Sequence, residues 1–161
     1  MIGIRNFHNA LAVERPRWIE RSRYYHDDIG SFTASLVGPE DSVLEIGCGT
    51  GSLIGSLKCR FAVGVDLSEA MIQLAREKHR SCHFVAGDAE DLPLRHNFDT
   101  VILSDTIGFL PDIQKAFEEA CGEDKPGTGK KNSLLPAIVA AVIVVMAVVA
   151  FALNSDLLGR R

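Results

Sequence analysis

Between Val43 and Gly51 the chain reads Val-Leu-Glu-Ile-Gly-Cys-Gly-Thr-Gly. Its first four residues suit a buried strand that carries one acid, Glu45. Glycines at 47, 49 and 51 then interrupt the strand at every second position. Glycine lacks a Cβ, so it enters φ > 0 freely and lets a ligand touch the main chain. The residues from Ser52 to about Cys59 are predicted to form a helix whose first amides face the loop. Strand, glycine loop and helix in that order make the ligand-binding corner of an open α/β sheet. The glycine spacing departs from the dinucleotide pattern Gly-x-Gly-x-x-Gly.

The rest of an α/β order is legible around this corner. Ser42–Ile46 is the first predicted strand and Phe61–Asp66 the second. Asp66 falls 19 residues after Gly47, where a ribose needs an acceptor for its hydroxyls. Its other reading is as a cap for the next helix. Ser68 offers an N-cap there, and Met71, Leu74, Ala75 and Lys78 fall on one stripe. His83–Ala86 is a short third strand and residues 98–104 a fourth. A loop from Ser104 to Leu110 lies at the fourth strand's carboxyl end. Ile113, Ala116, Phe117 and Ala120 mark a helix that Gly122 stops. Upstream, a helix is predicted from Pro16, with Tyr25, Ile29, Phe32 and Leu36 on its buried face and Gly38-Pro39 as its end.

Three motifs carry a family resemblance: Glu45-x-Gly47-x-Gly49-x-Gly51, the run Gly-Asp-Ala-Glu-Asp-Leu-Pro at 87–93, and Phe98-Asp99-Thr100-Val101. Together they resemble the class I S-adenosylmethionine-dependent methyltransferases across roughly residues 20–122. The resemblance implies an α/β fold, a Rossmann-like parallel sheet with flanking helices, of which the first four strands are present. It also implies S-adenosylmethionine as cofactor, held by Glu45, Gly47, Cys48, Gly49, Gly51, Asp66, Leu67, Asp88, Ala89 and Ser104. In that family the glycines pack under the methionine part. Asp88 matches the acceptor of the adenine amine, and Ala89 the amide offered to the ring. A helix before the first strand often covers the pocket, which brings Tyr24, Tyr25 and His26 toward the ligand. Asp105 and His26 are candidate general bases. The fourth loop lacks Asn-Pro-Pro-Tyr, so the expected methyl acceptor is a small molecule or lipid. Family members continue with a fifth strand and a hairpin that this sequence does not show. The alternative is therefore an inactive, S-adenosylmethionine-binding protein with a hydrophobic tail. A nucleotide-binding oxidoreductase is disfavoured by the glycine spacing.

Charge adds exclusions. Seventeen Lys and Arg against 21 Asp and Glu leave a net charge of −4, so no basic field invites nucleic acid. Arg5, Arg15, Arg17, Arg21 and Arg23, offset by Glu14 and Glu20, read as a solvated helix face. Cys48, Cys59, Cys82 and Cys121 show no CxxC spacing, so they read as reduced thiols and no metal site is expected. The first residues contain no long apolar run, so no secretory signal is expected.

Beyond Gly122 the character changes. Residues 123–133 read as a polar linker. Leu134–Leu153 then holds 20 residues without one charged or hydrogen-bonding side chain. As a helix that length spans about 30 Å, the thickness of a bilayer core. The predicted organisation is an N-terminal helical segment (1–37), a cofactor-binding domain (38–122), the linker, a transmembrane helix (134–153) and a short tail (154–161). Lys125, Lys130 and Lys131 on the linker side against Arg160 and Arg161 beyond favour a cytoplasmic domain anchored to the membrane. The alternatives are a cytoplasmic protein, or a tail of lost reading frame with no selected role.

Overall fold

The structure, a computed structural model, describes residues 6, 9–12, 15–94 and 98–121. The predicted linker, transmembrane helix and tail lie outside the described residues. Among the described residues no helix is long and apolar enough to cross a membrane.

Four parallel strands form one sheet: β1 (Ser42–Ile46), β2 (Phe61–Asp66), β3 (His83–Ala86) and β4 (Thr100–Leu103). Their spatial order is β3-β2-β1-β4. The chain steps outward from β1 to β3, then returns to the other side of β1 for β4. That reversal opens a crevice beyond the carboxyl ends of β1 and β4, where open α/β sheets bind ligands. Val43 stands opposite Thr100 on β4 and Ala62 on β2, which aligns the four carboxyl ends along one edge.

Side chains alternate across the pleat and build a core on each face. Val43, Ala62, Phe84 and Ile102 join Ile72 and Ala75 on one face. Leu44, Ile46, Val63, Val65, Val101 and Leu103 join Leu92 on the other, with Ala120 packed against them. Of the helices α1 (Arg15–Arg21), α2 (Arg23–Leu36), α3 (Glu69–Lys78) and α4 (Ile113–Cys121), α3 covers the first face through Ile72 and Ala75, and α4 meets the second through Ala120. Covered on both faces, β1, β2 and β4 read as largely apolar runs rather than as polar alternations.

Local chemistry fixes each boundary. Ser68 caps α3, its hydroxyl accepting from the Met71 amide at 3.2 Å. Arg76 of α3 donates twice to the Phe84 carbonyl of β3, at 3.1 and 2.6 Å. Asp99 pins the amino ends of β1 and β4: its Oδ2 accepts from the Ser42 amide and hydroxyl at 2.8 and 2.7 Å. The Phe-Asp-x-Val motif is thus a structural clamp at the edge opposite the crevice.

Three expectations need correction. The helix predicted from Ser52 to about Cys59 is only a 3₁₀ turn, Ile54–Ser56. The segment has few strong helix formers, and Gly55 at its middle costs about 1 kcal/mol in a helix relative to alanine. Gly55 also packs against the His79 ring, where a Cβ would lie 2.2 Å from Nδ1. The single helix predicted from Pro16 is two helices divided at Ser22, and its buried face is rotated. Ile29 and Thr33 are buried, whereas Phe32 and Leu36 are 54% and 45% exposed. Tyr25, Ile29 and Thr33 form the inward row, at i, i+4 and i+8. The stripe on α3 includes Ile72, which is buried, while Lys78 is exposed.

Candidate functional site

The glycine loop turns at once after β1. Gly47, Gly49 and Gly51 have φ of 75°, 53° and 75°. The three serve different ends. A Cβ on Gly47 would stand 1.8 Å from the Thr106 hydroxyl, and one on Gly51 would stand 2.7 Å from the Phe84 ring. A Cβ on Gly49 would meet nothing within 4 Å. Gly47 and Gly51 are therefore small because protein packs on them, and Gly49 alone leaves open space beside the backbone.

Two acids brace this loop. Glu45 is buried in β1 and its Oε2 accepts from the Ile54 amide at 3.1 Å, tying the strand to the 3₁₀ turn. Burial, reinforced by the nearby Asp66 and Asp105 charges, pushes its carboxyl up to about 8, while the Ile54 amide and Arg15 pull the other way. Asp66 Oδ2 accepts from the Gly49 amide at 2.8 Å, and Oδ1 from the Ser68 amide at 2.8 Å. The cap reading of Asp66 is thus met, since its carboxylate steadies the start of α3, and the same carboxylate also supports the glycine loop. A carboxylate offers about four lone pairs, so two remain for a ligand's hydroxyls.

A cleft of about 510 Å³ opens beside the loop. Its walls are Glu45, Gly47, Cys48 and Thr50 on the β1 side, Leu53 and Ser56 of the 3₁₀ turn, and Ser104 and Asp105 after β4. Arg15, Ile19, His26, Ile29 and Gly30 of α1 and α2 close it from above. The volume is that of a pocket for a small organic ligand.

The lip carries a second constellation. The Tyr25 hydroxyl donates to Asp105 Oδ1 at 2.5 Å, joining residues 80 apart in sequence. Asp105 has φ 54°, making it the one non-glycine residue with positive φ among the described residues. Backbone strain of this kind collects at functional sites. Burial and the Asp105 carboxylate raise the Tyr25 phenol, which stays protonated as a donor. His26, edge-on to Tyr25 with ring centroids 5.2 Å apart, is pulled below its ordinary value by burial and by Arg15, so it is neutral at pH 7. The next residue, Thr106, donates to the carbonyls of Ser104 at 3.0 Å and Gly47 at 3.4 Å. One short loop thereby grips both the glycine loop and α2.

The sequence-predicted residues are therefore distributed as follows. Glu45, Gly47, Cys48, Ser104, Asp105 and His26 share the cleft. Gly49 and Asp66 are hydrogen-bonded partners beside it, with Leu67 following. Asp88 and Ala89 come after β3, further along the same carboxyl edge. There the Asp88 carboxylate accepts from the Glu90 amide at 3.0 Å, and Ala89 packs against the core. Gly51 faces Phe84 rather than the cleft. The Cys48 thiol points into the core, and burial raises it well above its ordinary value, so it is no nucleophile. Tyr24 is 90% exposed and does not reach the cleft. Arg15, Tyr25 and Thr106 are the residues the sequence did not mark for the roles they take. Hydrophobic patterning carries no signal for Arg15 or Thr106; the one sits on a charged segment and the other in a loop.

This is the ligand crevice of an open α/β sheet, built at the point where the strand order reverses. Residues 44–128, more than half of the chain, match the methyltransferase domain family, and the chain belongs to it. It is 30% identical over 107 residues to a malonyl-[acyl-carrier protein] O-methyltransferase of Priestia megaterium, a match covering 63% of this chain and 39% of that protein. It is 34% identical over 92 residues to a phthiotriol/phenolphthiotriol dimycocerosates methyltransferase of Mycobacterium tuberculosis, covering 53% of this chain and 34% of that one. A crystal structure from Thermotoga maritima, titled a SAM-dependent methyltransferase and possible histamine N-methyltransferase, superposes with a TM-score of 0.62 at 31% identity. That alignment covers 73% of this chain and 55% of the other. The chain thus spans well under two thirds of the relatives it matches.

Proposed function

We propose that the chain binds S-adenosylmethionine at the carboxyl edge of its sheet and transfers the methyl group to a small molecule or lipid. The observation that carries this reading is the open side of Gly49, where an added Cβ would meet nothing within 4 Å and would stand in space free for a ligand, with its amide held by Asp66. When bound, the cofactor supplies an electrophilic methyl on its sulfonium. The chain supplies binding and orientation, which this chemistry chiefly requires. Asp66 accepts from the ribose hydroxyls on its remaining lone pairs. Asp88 and the Ala89 amide hold the adenine. Glu45, Gly47 and Ser104 surround the methionine end. Asp105 and neutral His26 stand at the lip, able to take a proton from an acceptor that must lose one. The acceptor class follows the relatives, whose names give a malonyl-[acyl-carrier protein] and phthiotriol or phenolphthiotriol dimycocerosates.

Calorimetric titration of the chain with S-adenosylmethionine and with NADH tests the reading. Saturable binding of the first alone is expected; binding of NADH alone overturns it. A second reading, cofactor binding without turnover, rests on β4, which pairs only with β1 among the described residues. Methyl transfer by a chain that binds the cofactor separates the two readings. The apolar run Leu134–Leu153 supports one more element of the proposal, a membrane anchor with residues 1–133 in the cytoplasm.

A further inference from the structure

Gly30 lies in the interior of α2, where a glycine weakens a helix relative to alanine. No close packing requires it: a Cβ there would meet only the Ser56 hydroxyl, at 3.9 Å. What Gly30 preserves is a gap between α2 and the 3₁₀ turn. Ser31 and Ala34 continue the small side chains on the α2 side, and Ser52, Leu53 and Ser56 form the other wall. This gap is an arm of the cleft of about 510 Å³. In the reading proposed above, the cofactor's nucleoside goes to Asp66, Asp88 and Ala89, none of which lines the cleft. Only the methionine end enters it, between Glu45, Gly47 and Ser104, so the arm is left for something else.

One buried atom calls for a ligand here. Thr33 is 1% exposed, and its Oγ1 is the one buried side-chain polar atom without a hydrogen-bond partner among the described residues. Its neighbours on the helix surface, Ile29, Gly30 and Ala34, all line the cleft. A buried hydroxyl left unpaired is costly and rare in native folds. The serines opposite do not complete it: Ser56 donates to the Leu53 carbonyl at 2.7 Å, and Ser52 shares a hydrogen bond with Thr50 at 3.3 Å. Both keep lone pairs for a ligand's hydroxyls. The charged lining residues are engaged with other charges. The fields of Arg15 and Asp105 reach both His26 and Glu45, and the exposed Asp27 pairs with Arg23 at 3.5 Å. The arm itself offers hydroxyls beside Leu53 and Ala34, and a charge desolvated among them would meet no opposite charge. We propose that the arm between α2 and the 3₁₀ turn seats the methyl acceptor and selects an uncharged, hydroxyl-bearing chain, which Thr33 and the serines hold and the bare Gly30 admits. The proposal rests on the cleft being the cofactor site.

Probes of matched length test the chemistry: 1,2-hexanediol, hexanoate and hexylammonium. Each is titrated by ligand-observed NMR into the full chain saturated with S-adenosylhomocysteine, the cofactor's demethylated product. Saturable binding of the diol alone is expected. Gly30→Leu fills the arm and should abolish diol binding while calorimetry gives an unchanged affinity for S-adenosylhomocysteine, which also shows that the variant is folded. Gly30→Ala, whose Cβ makes only an ordinary contact, should fold at least as well as wild type and weaken the diol less. Thr33→Val keeps the shape and removes the unpaired hydroxyl, so it should raise the melting temperature and weaken the diol severalfold; Thr33→Ser should retain the binding. Binding of a charged probe in preference to the diol overturns the proposal. So does diol binding that neither Gly30→Leu nor Thr33→Val alters, or a Gly30→Leu chain that loses S-adenosylhomocysteine in step with the diol. A wild-type chain that binds no S-adenosylhomocysteine overturns the cofactor reading, and with it the arm's role for a methyl acceptor.

Discussion

Glu45 shows how one buried residue makes the site sensitive to pH. Its carboxyl rises to about 8 in the folded chain because burial penalises the charge. An unfolded glutamate ionises near 4.3, so between these values the folded state holds more protons than the unfolded state. Stability on this account is greatest below the unfolded value and falls as pH rises toward 8, with a slope of up to about 1.4 kcal/mol per pH unit for one proton. Subtracting a Glu45→Gln variant removes the opposing contribution of His26, which is lowered in both proteins. We expect the wild type to lose melting temperature relative to Glu45→Gln between pH 5 and 8; parallel profiles would place Glu45 outside the titrating groups. The glycine loop gives a companion prediction. At Gly49 the φ of 53° strains any β-branched side chain by about 1–2 kcal/mol, yet no atom stands in its way. Gly49→Val should therefore fold, with a melting temperature lower by several degrees, and fail to bind S-adenosylhomocysteine in calorimetry. Gly51→Val meets the Phe84 ring and should not fold. A folded Gly49→Val that bound the cofactor product like wild type would remove this loop from the site.

Among the elements, α2 and the loop after β4 form a clasp through the Tyr25 to Asp105 hydrogen bond. The pair is exposed, so its contribution to global stability is of the order of 1 kcal/mol or less. Its effect is local: it holds a helix over the cleft. Tyr25→Phe should leave melting of the sheet within a few degrees of wild type while amide exchange across residues 23–36 rises severalfold; unchanged exchange would show that packing of Ile29 and Thr33 suffices. How much of this architecture the sequence disclosed varies with the physics of each element. The central strands were legible because both their faces are buried, so they appear as apolar runs; Gly47, Asp66 and Gly87 close the first three strands at the carboxyl edge. The glycine turn after β1 was legible because its glycines recur at a fixed spacing. The helix after Gly51 was not, since Gly55 gives way to the His79 ring, a contact that appears only when α3 is in place. Nor was the inward face of α2, where Thr33 is buried and Phe32 is not. Apolarity predicts burial only where the fold has a surface to offer. Arg15 was misread for the converse reason: a charge in a basic segment is usually solvated, and only the packing of α1 over the crevice makes this one a wall residue.

At the scale of the whole molecule, the proposed anchor is the least constrained element and the easiest to test. Leu134–Leu153 has the length and composition of a span, and its one proline, Pro136, would fall in the first turn of such a helix, where a missing amide is tolerated. A helix satisfies its own backbone in lipid, as a strand alone does not. Lys125, Lys130 and Lys131 lie just before it, and Asp156 partly offsets Arg160 and Arg161 beyond it. That asymmetry favours the cofactor-binding side in the cytoplasm, where a lipid acceptor would be presented close to the cleft. Arginine at the centre of a spanning helix costs roughly 2.5–3.5 kcal/mol on insertion scales. Wild-type chain should stay with membranes after carbonate washing, and the double substitution Ile143→Arg and Val144→Arg should release it into the soluble fraction. The soluble form should still bind S-adenosylhomocysteine, since the substitutions lie outside the family match at residues 44–128. Wild-type chain that washed free of the membrane would remove the anchor from the proposal. Double-variant chain that remained membrane-bound would move the attachment elsewhere, with the exposed Trp18, Tyr24, Phe32 and Phe109 the first side chains to probe.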